Sequence, residues 1–476
     1  MNYFRKKPIS SLLKEVEAKG TSLKKDLGAF DLAMLGVGAI IGTGMFVLTG
    51  VAAATHAGPA LILSFILAGL SCVFAALCYA EFASTVPAAG SAYTYSYTAF
   101  GEIIAWIMGW SLILEYGFSS SAVASGWSGY FQGLLAGFNI HLPKAITNAY
   151  NPAAGTYVDL PAVFIVFVIT ILLIQGVKKS ARLNTIMVFV KLAVVLLFIV
   201  VGAFYVKPEN WTPFMPFGFH GVTTGAATVF FAYIGFDAVS TAAEEVKNPR
   251  RNMPIGIISA LVVCTLLYII VSAILTGLVP YTELNVKNPV AFALNYINQD
   301  WIAGLISVGA IVGITTVLLV MVYGQTRLFY AMSRDGLLPG VFSKVNSKTQ
   351  VPTLNTWITA AMVAFFSGVV PLGKLAELSN IGTLFAFIVV SIGVVVLRKT
   401  QPDLPRAFKV PFVPVIPGLA VLFCGYLVLQ LPITTWISFV VWLVVGLVIY
   451  LSYGRRKSTL NHTQNTVEIQ KTGTDI

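Results

Sequence analysis

The chain has 476 residues, of which 57% are hydrophobic and only 10% charged, with a net charge of +11 and a mean hydropathy of +0.83. A soluble globular chain carries about 45–50% apolar and about 25% charged residues, so this composition excludes a soluble enzyme. The basic excess reads as membrane topology, since positive residues collect on the cytoplasmic side, and not as a nucleic-acid surface.

The opening stretch, MNYFRKKPISSLLKEVEAKG, is polar and basic, so no cleavable signal peptide is expected in it. Residues 9–19 fit a short amphipathic surface helix and a plain disordered arm equally well. A hydrocarbon core of about 30 Å takes about 20 helical residues, which leaves room for about 10–14 crossings. Twelve spans are predicted, at 30–54, 59–84, 102–135, 159–177, 184–206, 222–244, 255–280, 301–333, 352–370, 375–398, 412–430 and 434–453. The fold class is therefore an all-α polytopic membrane protein with twelve transmembrane helices. The longest connections, 136–158 and 281–300, are too short for a soluble domain, and no GxxxxGK[ST] occurs, so a built-in ATPase is excluded. Cys72, Cys78, Cys264 and Cys424 fall inside apolar runs without CxxC spacing, which suggests neither a disulfide framework nor a zinc site.

Lys and Arg orient the chain. The N-terminal arm, alternate connections (Lys178 and Arg182, Lys247 and Arg251, Arg334 and Lys344, Arg398 and Arg406) and the tail hold 24 of them, against Lys144, Lys207, Lys287 and Lys374 on the other side. Both termini are predicted to be cytoplasmic, in a multi-pass plasma-membrane protein. The loop at 85–101, predicted cytoplasmic, has no Lys or Arg and does not fit this pattern.

Two spans look interrupted. The first contains GAIIGTGMF (38–46), and glycine costs a helix interior about 0.8–1.0 kcal/mol relative to alanine. The sixth contains FFAYIGFDAVS (230–240), with Gly235 in the middle and Asp237 placed to cap a restarting helix. Breaks five spans apart suggest two five-helix repeats of opposite orientation, at 30–206 and 222–398. An arm at 1–29, two extra helices at 412–453 and a tail at 454–476 complete the chain. Unwound backbone inside a membrane survives only where it is buried or lines a cavity. Freed N–H groups then suit an anion and freed carbonyls a cation. Together they suit a zwitterion, with its carboxylate on the Thr43 and Gly44 amides and its ammonium on carbonyls near Ile40, Phe231, Ala232 and Ile234. The alternative is small residues placed for tight helix packing.

GAIIGTGMFVLTG with Gly58-Pro59, and YAEFASTVPAAGSAYTY (79–95), resemble the amino acid–polyamine–organocation transporters. FFAYIGFDAVSTAAEEVKNPRRNMPIGI (230–257) and GQTRLFYAMSRDGLLP (324–339) resemble the cationic amino acid transporter branch, in its bacterial proton-coupled form. The resemblance covers about residues 28–453. It implies a 5+5 inverted-repeat core plus two helices, alternating access, and an L-amino acid held by Ile40, Gly42, Thr43, Gly44, Phe231, Ala232 and Ile234. It further implies that Phe231 covers the substrate and that Met321 borders the side-chain pocket. A bulky Met there favours small neutral amino acids over arginine alone.

Charge within a span costs about 2.5–3.5 kcal/mol on insertion scales. Lys191 lies about two turns from the end of span five, near 10 Å of rise. It either snorkels to the interface or acts as a switchable buried charge. The resemblance places its ammonium where sodium-coupled relatives hold sodium, so the proton is the expected coupling ion, with no sodium and no other cofactor. Its expected partners are carbonyls near Gly38 to Gly42. Glu115, in span three, either faces the substrate or is a structural carboxylate. Glu81, Glu244 and Glu245 are expected to support cytoplasmic gates, with Arg250 and Arg327 as partners. The expected activity is proton-coupled uptake of small neutral or cationic L-amino acids. Its rivals are an uncoupled facilitator or exchanger of cationic amino acids and, in another class, an ion channel. No metal cluster or Ser/His/Asp set lies in the spans, which argues against an enzyme. Besides the bilayer, a small single-span partner stays open.

Overall fold

A computed structural model describes residues 5–7, 27–86, 91–175, 180–241, 246–346, 349 and 351–460, with backbone alone at 180–185, 238, 241 and 250. Residues 9–19, Glu244, Glu245, the Arg250 side chain and the tail beyond 460 lie outside the described residues. Fourteen α-helices of eight residues or more form the chain described. They are α1 Ala29–Ile40, α2 Leu61–Thr85, α3 Ser91–Ala99, α4 Glu102–Gly137, α5 Leu160–Ile174, α6 Ser180–Ala203 and α7 Gly218–Val229. After these come α8 Pro249–Leu278, α9 Pro289–Tyr296, α10 Asp300–Arg334, α11 Thr353–Val369, α12 Leu372–Thr400, α13 Val415–Leu429 and α14 Ile433–Ile449. No β-strand occurs among the described residues, only isolated bridges such as Leu27 with Val246.

Seven helical stretches are long and apolar enough to cross a membrane, and α1, α5, α11 and α13 are shorter apolar helices. The longest stretch, Gly44–Thr85, is bent where Gly58 takes φ +59° ahead of Pro59, so it consists of two arms. Packing is densest where α4 meets α10 and α12, and where α8 meets α1 and α2. Small residues allow these approaches: a Cβ on Gly36 of α1 would lie 2.6 Å from the Ala260 Cβ of α8.

The basic-poor loop at 85–101 has a structural explanation. Residues 91–99 form α3, and every one of them is buried, so this segment is not a solvated loop that needs Lys or Arg. The connection at 281–300 likewise folds into α9.

Arginine partners differ from expectation. Glu81 binds Arg398 in bidentate fashion (2.9 and 2.5 Å) and also meets Arg406 at 3.5 Å. Arg327 lies over the Tyr323 ring instead. A planar guanidinium fork matches a carboxylate, which is why arginine suits this junction of α2 and α12. Both described ends reach one face of the bundle. Arg5 meets Glu102 at 3.6 Å, and Ser458 Oγ donates to the same carboxylate at 2.5 Å. Lys7 donates to Asp335, just past α10, at 3.1 Å. The start of α4 and the end of α10 therefore share that face.

Candidate functional site

The two interruptions meet. Helix α1 stops at Ile40, and Gly42 O accepts from both Met45 N (3.1 Å) and Phe46 N (3.0 Å) as the chain rewinds into π-helical Gly44–Leu48. Helix α7 passes into 3-10 Phe230–Tyr233, Ile234 is extended, and Gly235 takes φ +116°, a conformation L side chains rarely adopt. The backbones touch at two glycines. A methyl on Gly44 would fall on the Ala232 Cα and 2.7 Å from its N, and one on Gly235 would lie 2.8 Å from Ala39 O. Only residues without a Cβ allow these contacts between the two interruptions.

Unwinding frees carbonyls, which must find donors in a dry interior. Lys191, on α6 and fully buried, donates from Nζ to Gly38 O (2.6 Å) and Ile41 O (3.0 Å). Its stem runs along α10, where a Cβ on Gly313 would lie 3.1 Å from the Lys191 Cβ. Among the described residues no carboxylate pairs with it, so the ammonium is held by peptide dipoles alone. Tyr268 of α8 places its hydroxyl 3.1 Å from Ile40 O and 2.8 Å from Ala232 O, bridging the two breaks. Tyr130 of α4 donates to Phe46 O at 2.7 Å.

Between the breaks lies a narrow cavity. Ile40, Gly42, Thr43 and Gly44 line it from the first break, Phe231 and Ile234 from the second, and Met321 from α10. Ser119 and Val123 of α4 and Val317 of α10 also line it, and the sequence reading had not singled them out. Thr43 is seated in a notch at Gly126, where a Cβ would lie 2.7 Å from its Oγ1, and that hydroxyl donates to Val123 O at 3.4 Å. The Ser119 hydroxyl is bonded to that of Ser379 on α12.

Two residues expected to bind substrate, Ala232 and Glu115, stand off this lining, while Lys191 sits on its expected carbonyls. Ala232 is the contact under Gly44, and Lys191 lies behind the unwound strand. Glu115 is one turn along α4 from Ser119 and does not reach the cavity. Asp237 turns its carboxylate to Tyr116, whose hydroxyl donates to Oδ2 at 3.0 Å.

Over the far side of the breaks, residues 284–289 wedge between the first break's helix and α4. A Cβ on Gly50 would lie 2.5 Å from Leu284 O, and one on Gly129 would lie 2.8 Å from the Lys287 Cβ. Lys287 Nζ donates to Thr147 O at 2.5 Å, beside the buried Asp159, which accepts from Ser128 Oγ (2.5 Å) and caps α5 through Ala162 N (3.2 Å). Burial pushes the Asp159 carboxyl up from 3.8 to about 6, and burial lowers Lys287 despite the attraction of Asp159. The folded chain therefore holds the Asp159 proton at pH values where the unfolded chain has lost it. This group's contribution falls as pH rises from about 4 to about 6 and is constant above. Thermal unfolding across that range is expected to show the slope in the native chain. Asp159→Asn, which keeps an N-cap, is expected to flatten it, and an unchanged slope would reject the assignment.

An apolar helical bundle with seven stretches long enough to cross a membrane, and with interrupted helices around a small cavity, defines an integral membrane protein. The model of the amino acid permease family matches residues 27–450, and the chain belongs to that family. It is 58% identical to the branched-chain amino acid permease BcaP of Bacillus subtilis, over 96% of this chain and 99% of that one. It is 57% identical to a methylthioribose transporter of the same organism, with the same coverage. A vacuolar cationic amino acid transporter 4 of Arabidopsis thaliana is 41% identical over 80% of this chain and 64% of its own.

Proposed function

We propose that this permease carries small neutral L-amino acids into the cell with a proton, by alternating access, and that Lys191 carries the coupling proton. A single observation carries this reading: the cavity is walled by both breaks, and Lys191 Nζ is bonded to Gly38 O and Ile41 O on one of the same unwound strands. A bound zwitterion would take its carboxylate on the amides at Thr43 and Gly44 and its ammonium on carbonyls around Ile40, Phe231, Ala232 and Ile234. Val123, Val317 and Met321 offer apolar contacts to a neutral side chain.

Twelve crossings complete the proposal. They are α1 with the helix from Gly44, α2, α4, α5, α6, α7 with its restart, α8, and α10 to α14. The first ten form two inverted repeats, 30–206 and 222–398. Both chain ends are cytoplasmic in a plasma-membrane protein. The shared contact of Arg5 and Ser458 with Glu102 supports placing the ends together, and the charge bias supports the side.

Near-equal identity to a methylthioribose transporter makes a neutral thiosugar the rival substrate. A thiosugar has neither a carboxylate nor an ammonium for the paired peptide ends. Thermal-shift measurements with alanine, leucine, arginine and methylthioribose separate the readings, since native-state ligands raise apparent stability. A rise with alanine or leucine is expected, and a rise with methylthioribose alone overturns the amino acid reading. Met321→Ala is expected to open the side-chain end of the cavity and to raise the affinity for leucine and arginine relative to alanine in competition uptake. An unchanged order of preference would show that Met321 does not limit size.

A further inference from the structure

Below the cavity, toward the face shared by the start of α4 and the end of α10, lies a buried polar floor. Glu115 is one turn down α4 from Ser119, and Gln325 is one turn down α10 from Met321. Glu115 is 1% exposed and Gln325 fully buried, and among the described residues no protein group makes a hydrogen bond of ordinary geometry to their side-chain oxygens or nitrogens. The titratable groups facing Glu115 are Asp237 from the restart after α7, Tyr79 from α2 and its own neighbour Tyr116. The Tyr116 hydroxyl donates a hydrogen bond to Asp237 Oδ2. From α12, Gly382 packs on the Glu115 Cβ, and the Thr383 hydroxyl is committed to Ser379 O at 3.1 Å. Among the described residues no Lys, Arg or His faces Glu115. An ionised carboxylate here would be buried and would stand beside a second carboxylate, both of which oppose charge, while the Thr383 hydroxyl, the neighbouring donor that favours it, is already given to Ser379 O.

We propose that Glu115 is held as a neutral carboxylic acid at neutral pH, a second proton site distinct from Lys191 on the inner side of the substrate cavity. One consequence rests on the amino acid reading of that cavity. A cationic side chain reaching past Met321 pairs with Glu115 once the acid gives up its proton to solution, so one proton leaves for each cation bound. A neutral substrate leaves the acid protonated. Proton movement per substrate therefore differs by one between alanine and arginine.

Infrared difference spectroscopy of the purified, substrate-free protein tests the proposal without any transport assay. The C=O stretch of a protonated carboxylic acid is expected in the native chain at neutral pH. One such band is expected to be lost in Glu115→Gln and displaced in Glu115→Asp. Glu115→Gln is expected to melt no lower than the native protein, because an amide mimics the neutral acid. The Asp variant keeps the test open if the Gln variant does not fold. Identical spectra in this region for the native and variant proteins would mean that Glu115 is ionised and would overturn the proposal. Failure of the transport reading would leave these spectra unchanged, so the two outcomes are separable.

Discussion

Lys191→Ala abolishes alanine uptake driven by an inside-alkaline pH gradient in sealed vesicles: this is the largest effect expected of any single change. The Lys191 ammonium ties α6 to the unwound strand through Gly38 O at 2.6 Å and Ile41 O at 3.0 Å. A hydrogen bond to a charged group contributes about 1.5–3 kcal/mol, and loss of the donor leaves two buried carbonyls unpaired. A loss of about 3 kcal/mol is roughly a hundredfold or more in any step that needs the strand held. Lys191→Arg separates holding from switching. Arginine stays charged at all working pH values, so it is expected to keep the strand fastened and substrate-induced stabilisation intact while net uptake fails. Replacing sodium by potassium in the medium is expected to leave native uptake unchanged. Full pH-driven uptake by the alanine variant, or uptake that follows a sodium gradient and ignores pH, would remove Lys191 as the coupling group.

Legibility in the sequence followed how local each signal is. Both interruptions were readable because glycines crowded into an apolar helix have few other uses, and the glycines at 44 and 235 fall where backbone meets backbone. Lys191 was readable because charge inside a span is rare enough to mark a position unaided. Tyr268 was not singled out, although a buried phenol in TLLYIIVS must find an acceptor. Which acceptor depends on how α8 crosses both breaks, and no local pattern records that. Glu115, read either as facing the substrate or as a structural carboxylate, lies one turn from the cavity lining at Ser119. Ser119 is four residues on, along the same face, about 6 Å further up the helix. Helical periodicity fixes a face, but depth along that face is set by packing with α10 and α12. The segment 85–101 misled for the same reason: its missing lysines reflect burial of α3, which arises only in the folded bundle.

Gly44→Ala is the second large effect, and it strikes the substrate site without touching a charged group. The added methyl would overlap the Ala232 Cα and lie 2.7 Å from its N. Backbone cannot rotate aside as a flexible side chain can, so the two breaks must part or the strand must rewind. Alanine favours helix over glycine by about 1 kcal/mol, which strengthens the helical turn that already begins at Gly44. Overpacking costs about 1–3 kcal/mol, so the two terms nearly offset and the ligand-free melting temperature is expected to change little. Binding has no such compensation, because the cavity exists only while both strands stay unwound and in contact. Substrate-induced stabilisation is therefore expected to vanish and uptake to fall by about a hundredfold or more, equivalent to about 3 kcal/mol. Gly425→Ala is the matched control: it lies in α13 with nothing within 4 Å of the added methyl. That variant is expected to transport like the native protein. Native-like binding in Gly44→Ala would mean that contact between the breaks is not what shapes the site, and the zwitterion cradle would have to be sought elsewhere in the bundle.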